Sequence, residues 1–213
     1  RDLVRSRGLG DVYKRQVKRT EAVRKDTYFY YLYHTTYLSC YNDETEASRK
    51  RLFMRQIKAY KDTLIAISDP NTASYVTNKC GRLGLQGKWD EAIQILSGYY
   101  EHCADTNPDK ARVEYLLAEL YLGKRDMQQA KHFLIRASIT DIANAKKVYM
   151  SLQQLAILLF QEGDIARAYN YISCSLEDVS FGKARYRIID IAEYLPIIKA
   201  ANDLSLIHIS EPT

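Results

Sequence analysis

Apolar positions through the body of the chain recur at spacings of three and four, the period of a helix that buries one face. No run of Val, Ile and Thr alternates with period two, so strands are not expected. The pattern predicts nine helices. Arg19–Cys40 and Glu44–Ile67 read as one long hairpin, broken at Tyr41, Asn42 and Asp43. Asp69-Pro70 ends the second helix and opens another, because proline fits a first helical turn but not an interior. Asn107-Pro108-Asp109 repeats that punctuation. A last helix runs from about Gly182 to Ala200, with Pro196 kinking or ending it.

Laid against itself, the chain repeats. Ala92, Ala130 and Ala168 follow one another at intervals of 38 residues. Cys80, Ala118 and Ala156 stand twelve positions before them, Gly87, Arg125 and Gly163 five before, and Leu96, Leu134 and Ile172 four after. Each unit is an apolar helix, a break and a second helix that opens on Asp90-Glu91, Asp126 or Asp164. An aspartate there accepts orphan backbone N–H bonds and suits the positive end of the helix dipole. Small residues at two fixed places let antiparallel helices approach closely.

This arrangement resembles the tetratricopeptide repeat. Leu117-Ala118-x-x-Tyr121 followed by Ala130, Leu134 and Ala137 matches the family's small and large positions, as do Leu155-Ala156, Gly163, Ala168 and Ser175. The resemblance implies an all-α, TPR-like α-solenoid of antiparallel helix hairpins, with units near 72–106, 109–141 and 145–179. The 38-residue period exceeds the family's usual length of about 34, so helix ends or turns must absorb the difference. The first unit is degenerate: Lys79 stands where Leu117 and Leu155 do, and Tyr99 where Ala137 and Ser175 do. The family lines its concave groove with the first helix of each unit. That implies a groove of Thr77 in the first unit, Arg112, Tyr115 and Glu119 in the second, and Met150 and Gln153 in the third, suited to an extended peptide or a partner helix.

The two ends read differently. Residues 204–213, LSLIHISEPT, resemble translated transposase sequencing-adapter DNA, and residues 6–16, SRGLGDVYKRQ, resemble the reverse complement of the same class. Arg1–Arg5 match its primer and index. Segments 1–16 and 204–213 are therefore expected to be adapter-derived, leaving 17–203 as a TPR-like domain cut at both ends. Degenerate repeats leading into Lys183 and onward to Leu195-Pro196-Ile197-Ile198 also resemble the sensor region of membrane-anchored bacterial transcription regulators. That layout implies a periplasmic sensing scaffold in signal transduction, with a membrane helix lost downstream. A cytoplasmic adaptor of the same repeats is the competing expectation.

Charge adds little. Dropping five Lys/Arg and two Asp/Glu at the front and Glu211 at the back leaves 26 basic and 23 acidic residues, against a net charge of +5 for the full chain. The charges are mixed along the sequence, so no nucleic-acid contact is expected of this fragment. No stretch reaches the roughly 20 apolar residues of a membrane helix. Cys40, Cys80, Cys103 and Cys174 stand far apart without metal spacing and read as small buried apolar residues.

The catalytic inventory is thin. His34, His102 and His132 belong to no shared motif, and no Gly-rich phosphate loop, HExxH or GxSxG is present. A non-enzyme without cofactor or metal is expected, an unrecognised scattered site being the alternative. Tyrosines crowd the first helix, where Tyr30, Tyr33, Tyr37 and Tyr41 form one stripe. The stripe reads either as a wall facing a ligand, since tyrosine joins a large contact area to a polar tip, or as packing against the second helix, which is favoured. Neither the partner nor the oligomeric state is legible.

Overall fold

The computed structural model describes residues 27–145, 150–181 and 185–210. The expected segment 1–16, the beginning of the first helix at Arg19, and Gly182 and Lys183 lie outside these. Among the described residues the chain is all α, with nine helices and no strand: α1 Thr27–Asp43, α2 Ala47–Ile67, α3 Ala73–Gly84, α4 Trp89–Glu101, α5 Lys110–Lys124, α6 Met127–Ala143, α7 Met150–Gln161, α8 Ile165–Phe181 and α9 Arg185–Ser210. They form two compact units, 1–86 and 87–213. The boundary falls inside the degenerate first repeat. In that repeat Lys79 is exposed, whereas Leu117 and Leu155 at the matching positions are 0% and 4% exposed.

In the first unit α1 packs on α2 and α2 on α3. Here the breaks differ from expectation. Tyr41, Asn42 and Asp43 continue α1, and the chain turns at Glu44–Glu46, where the Glu44 carboxylate accepts the backbone N–H groups of Thr45 and Glu46 at 3.0 and 3.1 Å. Pro70 lies in a turn and not in a first helical turn. Asp69 accepts the N–H of Asn71 at 2.9 Å, and Thr72 is the residue that caps α3, accepting from Tyr75.

In the second unit each helix from α4 to α9 packs on its successor. The repeating positions decide this packing: Ala118, Ala156, Ala130 and Ala168, with Leu134 and Ile172, are fully buried. Each fully buried Leu or Ile stabilises by about 1.5–3 kcal/mol, and the alanines let the helix backbones come close enough to share that core. Ala92 and Leu96 of α4, and Cys80 in the first unit, are equally sealed.

The breaks within the three repeats share one left-handed residue, and the second and third also share their hydrogen bonds, whereas Lys88 in the first makes no side-chain cap. Gly87, Arg125 and Gly163 all take the left-handed conformation, with φ of 76°, 66° and 84°. At the end of α5, Asp126 donates to the Tyr121 carbonyl at 2.9 Å and Arg125 to that of Leu122 at 3.0 Å; Asp164 to Leu159 and Gly163 to Phe160 reproduce this in the third repeat. Such bonds satisfy the orphan carbonyls of a helix end. The aspartate then reverses role, accepting from Gln129 N–H at 3.0 Å or Arg167 N–H at 3.2 Å to begin the next helix. One residue thus closes one helix and opens the other. The second helices α6 and α8 each run 17 residues, which takes up length in the 38-residue period.

Trp89 opens α4 and lies against α5, where a Cβ added at Gly123 would meet its ring at 2.6 Å. The last helix does not stop at Pro196 but runs through it to Ser210, past Asp203, with Leu204 and Leu206 exposed. No helix among the described residues is long and apolar enough to cross a membrane.

Candidate functional site

The expected groove residues separate into two kinds. Thr77, Tyr115 and Gln153 occupy one place in the 38-residue repeat, and that place faces the packing. Thr77 and Gln153 are only 7% and 6% exposed, and the Thr77 hydroxyl donates to the Ala73 carbonyl of its own helix at 2.7 Å. Neither lines an open surface, and Thr77 also belongs to the other compact unit. Tyr115 is half-buried and, like Met150, packs against the apolar cluster built by α5 to α9. Arg112 and Glu119 are exposed. Positions 112, 115 and 119 share one face of α5, so the structure leaves a short surface with opposite charges two turns apart and an aromatic ring between them.

Arg112 is not isolated there. Its guanidinium lies 4.0 Å from the Asp109 carboxylate one turn earlier. Tyr99 on α4 comes within electrostatic reach of both; burial first, then Cys103 and Asp109, push its phenol above the ordinary value, with Arg112 opposing. Sequence reasoning set Tyr99 aside as a departure from the repeat, yet it borders the Arg112 surface.

A polar centre that the sequence reading missed lies behind this face. Glu114 is completely buried. Tyr100 of α4 donates to its Oε1 at 2.9 Å, Thr140 of α6 donates to its Oε2 at 2.7 Å, and Arg136 Nε stands 3.5 Å from Oε1. Burial and the hydrogen bond to Glu114 push the Tyr100 phenol up. Lys110, also buried, pairs with Asp105 and sets its ammonium 5.3 Å from the Tyr100 ring centroid. That pairing raises the lysine and lowers the aspartate. A cleft of about 240 Å³ opens beside it, lined in part by Lys110, Arg136, Ile139 and Thr140. Both Glu114 oxygens are satisfied from the two neighbouring helices, so the centre locks α4, α5 and α6 together. The signal was present: Val76, Glu114 and Leu152 share one repeat position, and only one of them is charged.

The tyrosine stripe packs. Tyr33 and Tyr37 stack on Tyr60 of α2 at 5.3 and 5.6 Å between centroids, Tyr30 meets the same ring at 6.4 Å, and Tyr37 also meets Phe53. Tyr41 lies under the Lys50 ammonium at 5.3 Å. Of the cysteines only Cys80 is buried, its thiol pushed up to about 11 by desolvation; Cys40 and Cys174 are exposed and Cys103 is half-buried, contrary to the expectation for all four. Cys40 and Cys174 stand on solvent-facing sides of α1 and α8, and Cys103 follows the end of α4. Among the described residues no three His, Cys, Asp or Glu side chains converge on a metal position.

A family model described as the SusR N-terminal TPR domain matches residues 14–193. The search of curated proteins gave no match. Among solved structures, nearly identical TPR-like repeats of a Podospora anserina protein named as a kinesin light chain align with 12% identity and a TM-score of 0.45, covering 72% of this chain and 90% of that one.

Proposed function

We propose, for a chain that belongs to the SusR N-terminal TPR domain family, that it is a protein-binding scaffold whose α5 face receives an extended peptide or a partner helix. Arg112 and Glu119 make the polar contacts and Tyr115 supplies the ring, with Met150 an apolar neighbour in the same packed cluster. The observation that carries this reading is the exposure of Arg112 and Glu119 on a helix whose opposite face is sealed. TPR domains generally bind protein partners and are generally non-enzymatic; no catalytic residue or cofactor is assigned here. A photo-crosslinking residue at position 112 should trap a partner from a bacterial lysate, and Glu119→Ala with Tyr115→Phe should reduce the yield with helical content unchanged. Equal yield from the double variant would remove the α5 face from the reading.

The finer proposal is that the scaffold is the sensing region of a bacterial membrane-anchored regulator, on the periplasmic side. Support comes from the family's description as an N-terminal domain, which fits a layout with output carried downstream. The second reading is a cytoplasmic adaptor. The full-length gene separates them: a membrane span downstream, with protease access to this region in spheroplasts, favours the sensor, and a gene without a span leaves the adaptor.

A further inference from the structure

Residues 49–61 carry six cations and no acid, and several of these cations gather on one face once α2 is formed. Lys50, Arg51, Arg55 and Lys58, with Met54 and with Tyr41 of α1, line an open cleft of about 440 Å³. Arg51 and Arg55 are exposed; Lys50, Met54 and Lys58 are half-buried. Three of the flanking acids are engaged elsewhere, Glu44 and Glu46 with Arg49 at 3.6 and 3.0 Å, and Asp62 with Arg82 at 2.8 Å. Among the described residues none of the four cations around the cleft forms an ion pair. Like charges at helical spacing repel one another, so this face is electrostatically unbalanced as it stands.

We propose that this face of α2 docks an acidic helical segment of a partner protein. Arg51, Arg55 and Lys58 follow an i, i+4, i+7 order over about 10 Å, which a helix bearing carboxylates at the same intervals would match. Met54 and the Tyr41 ring give the cleft an apolar floor for one aliphatic side chain between those carboxylates. A nucleic-acid strand fits less well. Its phosphates continue past four contacts and offer no aliphatic side chain for the floor made by Met54 and Tyr41. A bilayer presents a plane of headgroups, which leaves the same concave floor unfilled. The cleft is built from residues of the first unit and the α5 face from residues of the second, so either reading can fail without the other.

The test uses the full chain and four fluorescent probes: a peptide with Glu at i, i+4 and i+7 around a leucine, its Gln counterpart, a single-stranded oligothymidine, and phosphatidylserine-containing vesicles. The Glu peptide should bind, the Gln peptide should not, and raising salt from about 0.05 to 0.3 M should weaken binding because exposed charges are screened. Each exposed pair contributes little, so Arg51→Glu with Arg55→Glu should weaken the peptide about tenfold. The exposed Lys199→Glu on α9 should leave it unchanged, and circular dichroism should confirm that all variants keep their helices. Failure of the Glu peptide to bind, or binding indifferent to the double reversal, would overturn the proposal. So would tighter, reversal-sensitive binding of the oligonucleotide or the vesicles, which would make the patch a nucleic-acid or membrane surface.

Discussion

His34 on α1 is 8% exposed, its Nε2 has no hydrogen-bond partner, and Lys61 of α2 adds a like charge to any proton it gains. Desolvation first, then Lys61, holds its pKa down to about 3 against an ordinary 6.5. The unfolded chain therefore takes up a proton that the folded chain refuses. The contribution is fully present above pH 6.5 and is lost as the pH falls from 6.5 towards 3. At pH 5 the loss depends only on the unfolded value, one and a half units away, and comes to about 2 kcal/mol at 1.36 kcal/mol per unit. Glu44, Asp105 and Asp164 are also shifted, but downward from the carboxylate range, so their losses begin below about pH 4.5 and leave this window clear. The assay is urea unfolding at pH 7.5 and pH 5, followed by near-ultraviolet circular dichroism, to which the stacked tyrosines of α1 and α2 contribute. Wild type should lose about 2 kcal/mol between the two, and His34→Leu should lose almost nothing. An equal loss in both proteins would refute the burial argument.

Other perturbations test the packing. Ala130→Leu should destabilise the second unit by about 1–3 kcal/mol, because the fully buried position has no room for three more carbons; an unchanged urea midpoint would mean the alanines do not set the helix separation. Gly123→Ala should cost a similar amount, since the added methyl would meet the Trp89 ring, and Trp89→Leu should relieve it in a double-mutant cycle. Glu114→Ala should cost about 2–4 kcal/mol, leaving Tyr100 and Thr140 without their acceptor and opening a void; thermal melts read this directly. Gly163→Ala at φ of 84° should lower stability by about 1 kcal/mol, and a rise would contradict the left-handed turn.

The fold was legible because the 38-residue pattern of small and large residues encodes packing directly, and helices at Ala92, Ala130 and Ala168 bury those positions completely. Even Arg125 was aligned correctly with two glycines, all three being left-handed. The candidate site was less legible. Thr77 and Gln153 came from a family rule about which helix faces the groove, whereas their own exposure depends on how the neighbouring helix lies over that turn. Glu114 looked like any charged residue until two neighbouring helices brought Tyr100, Thr140 and Arg136 to it. The basic face of α2 was masked by the near-balance of charge over the whole chain, although residues 49–61 carry Arg49, Lys50, Arg51, Arg55, Lys58 and Lys61 with no acid among them.

Trp89 is the sole tryptophan of the chain and sits on Gly123 in the second unit, while the stacked phenols lie in the first. Nature has thereby given the two halves different optical signatures. Indole emission will follow the hairpin of α4 and α5 alone, so a stepwise or a concerted denaturation can be told apart without attaching any dye.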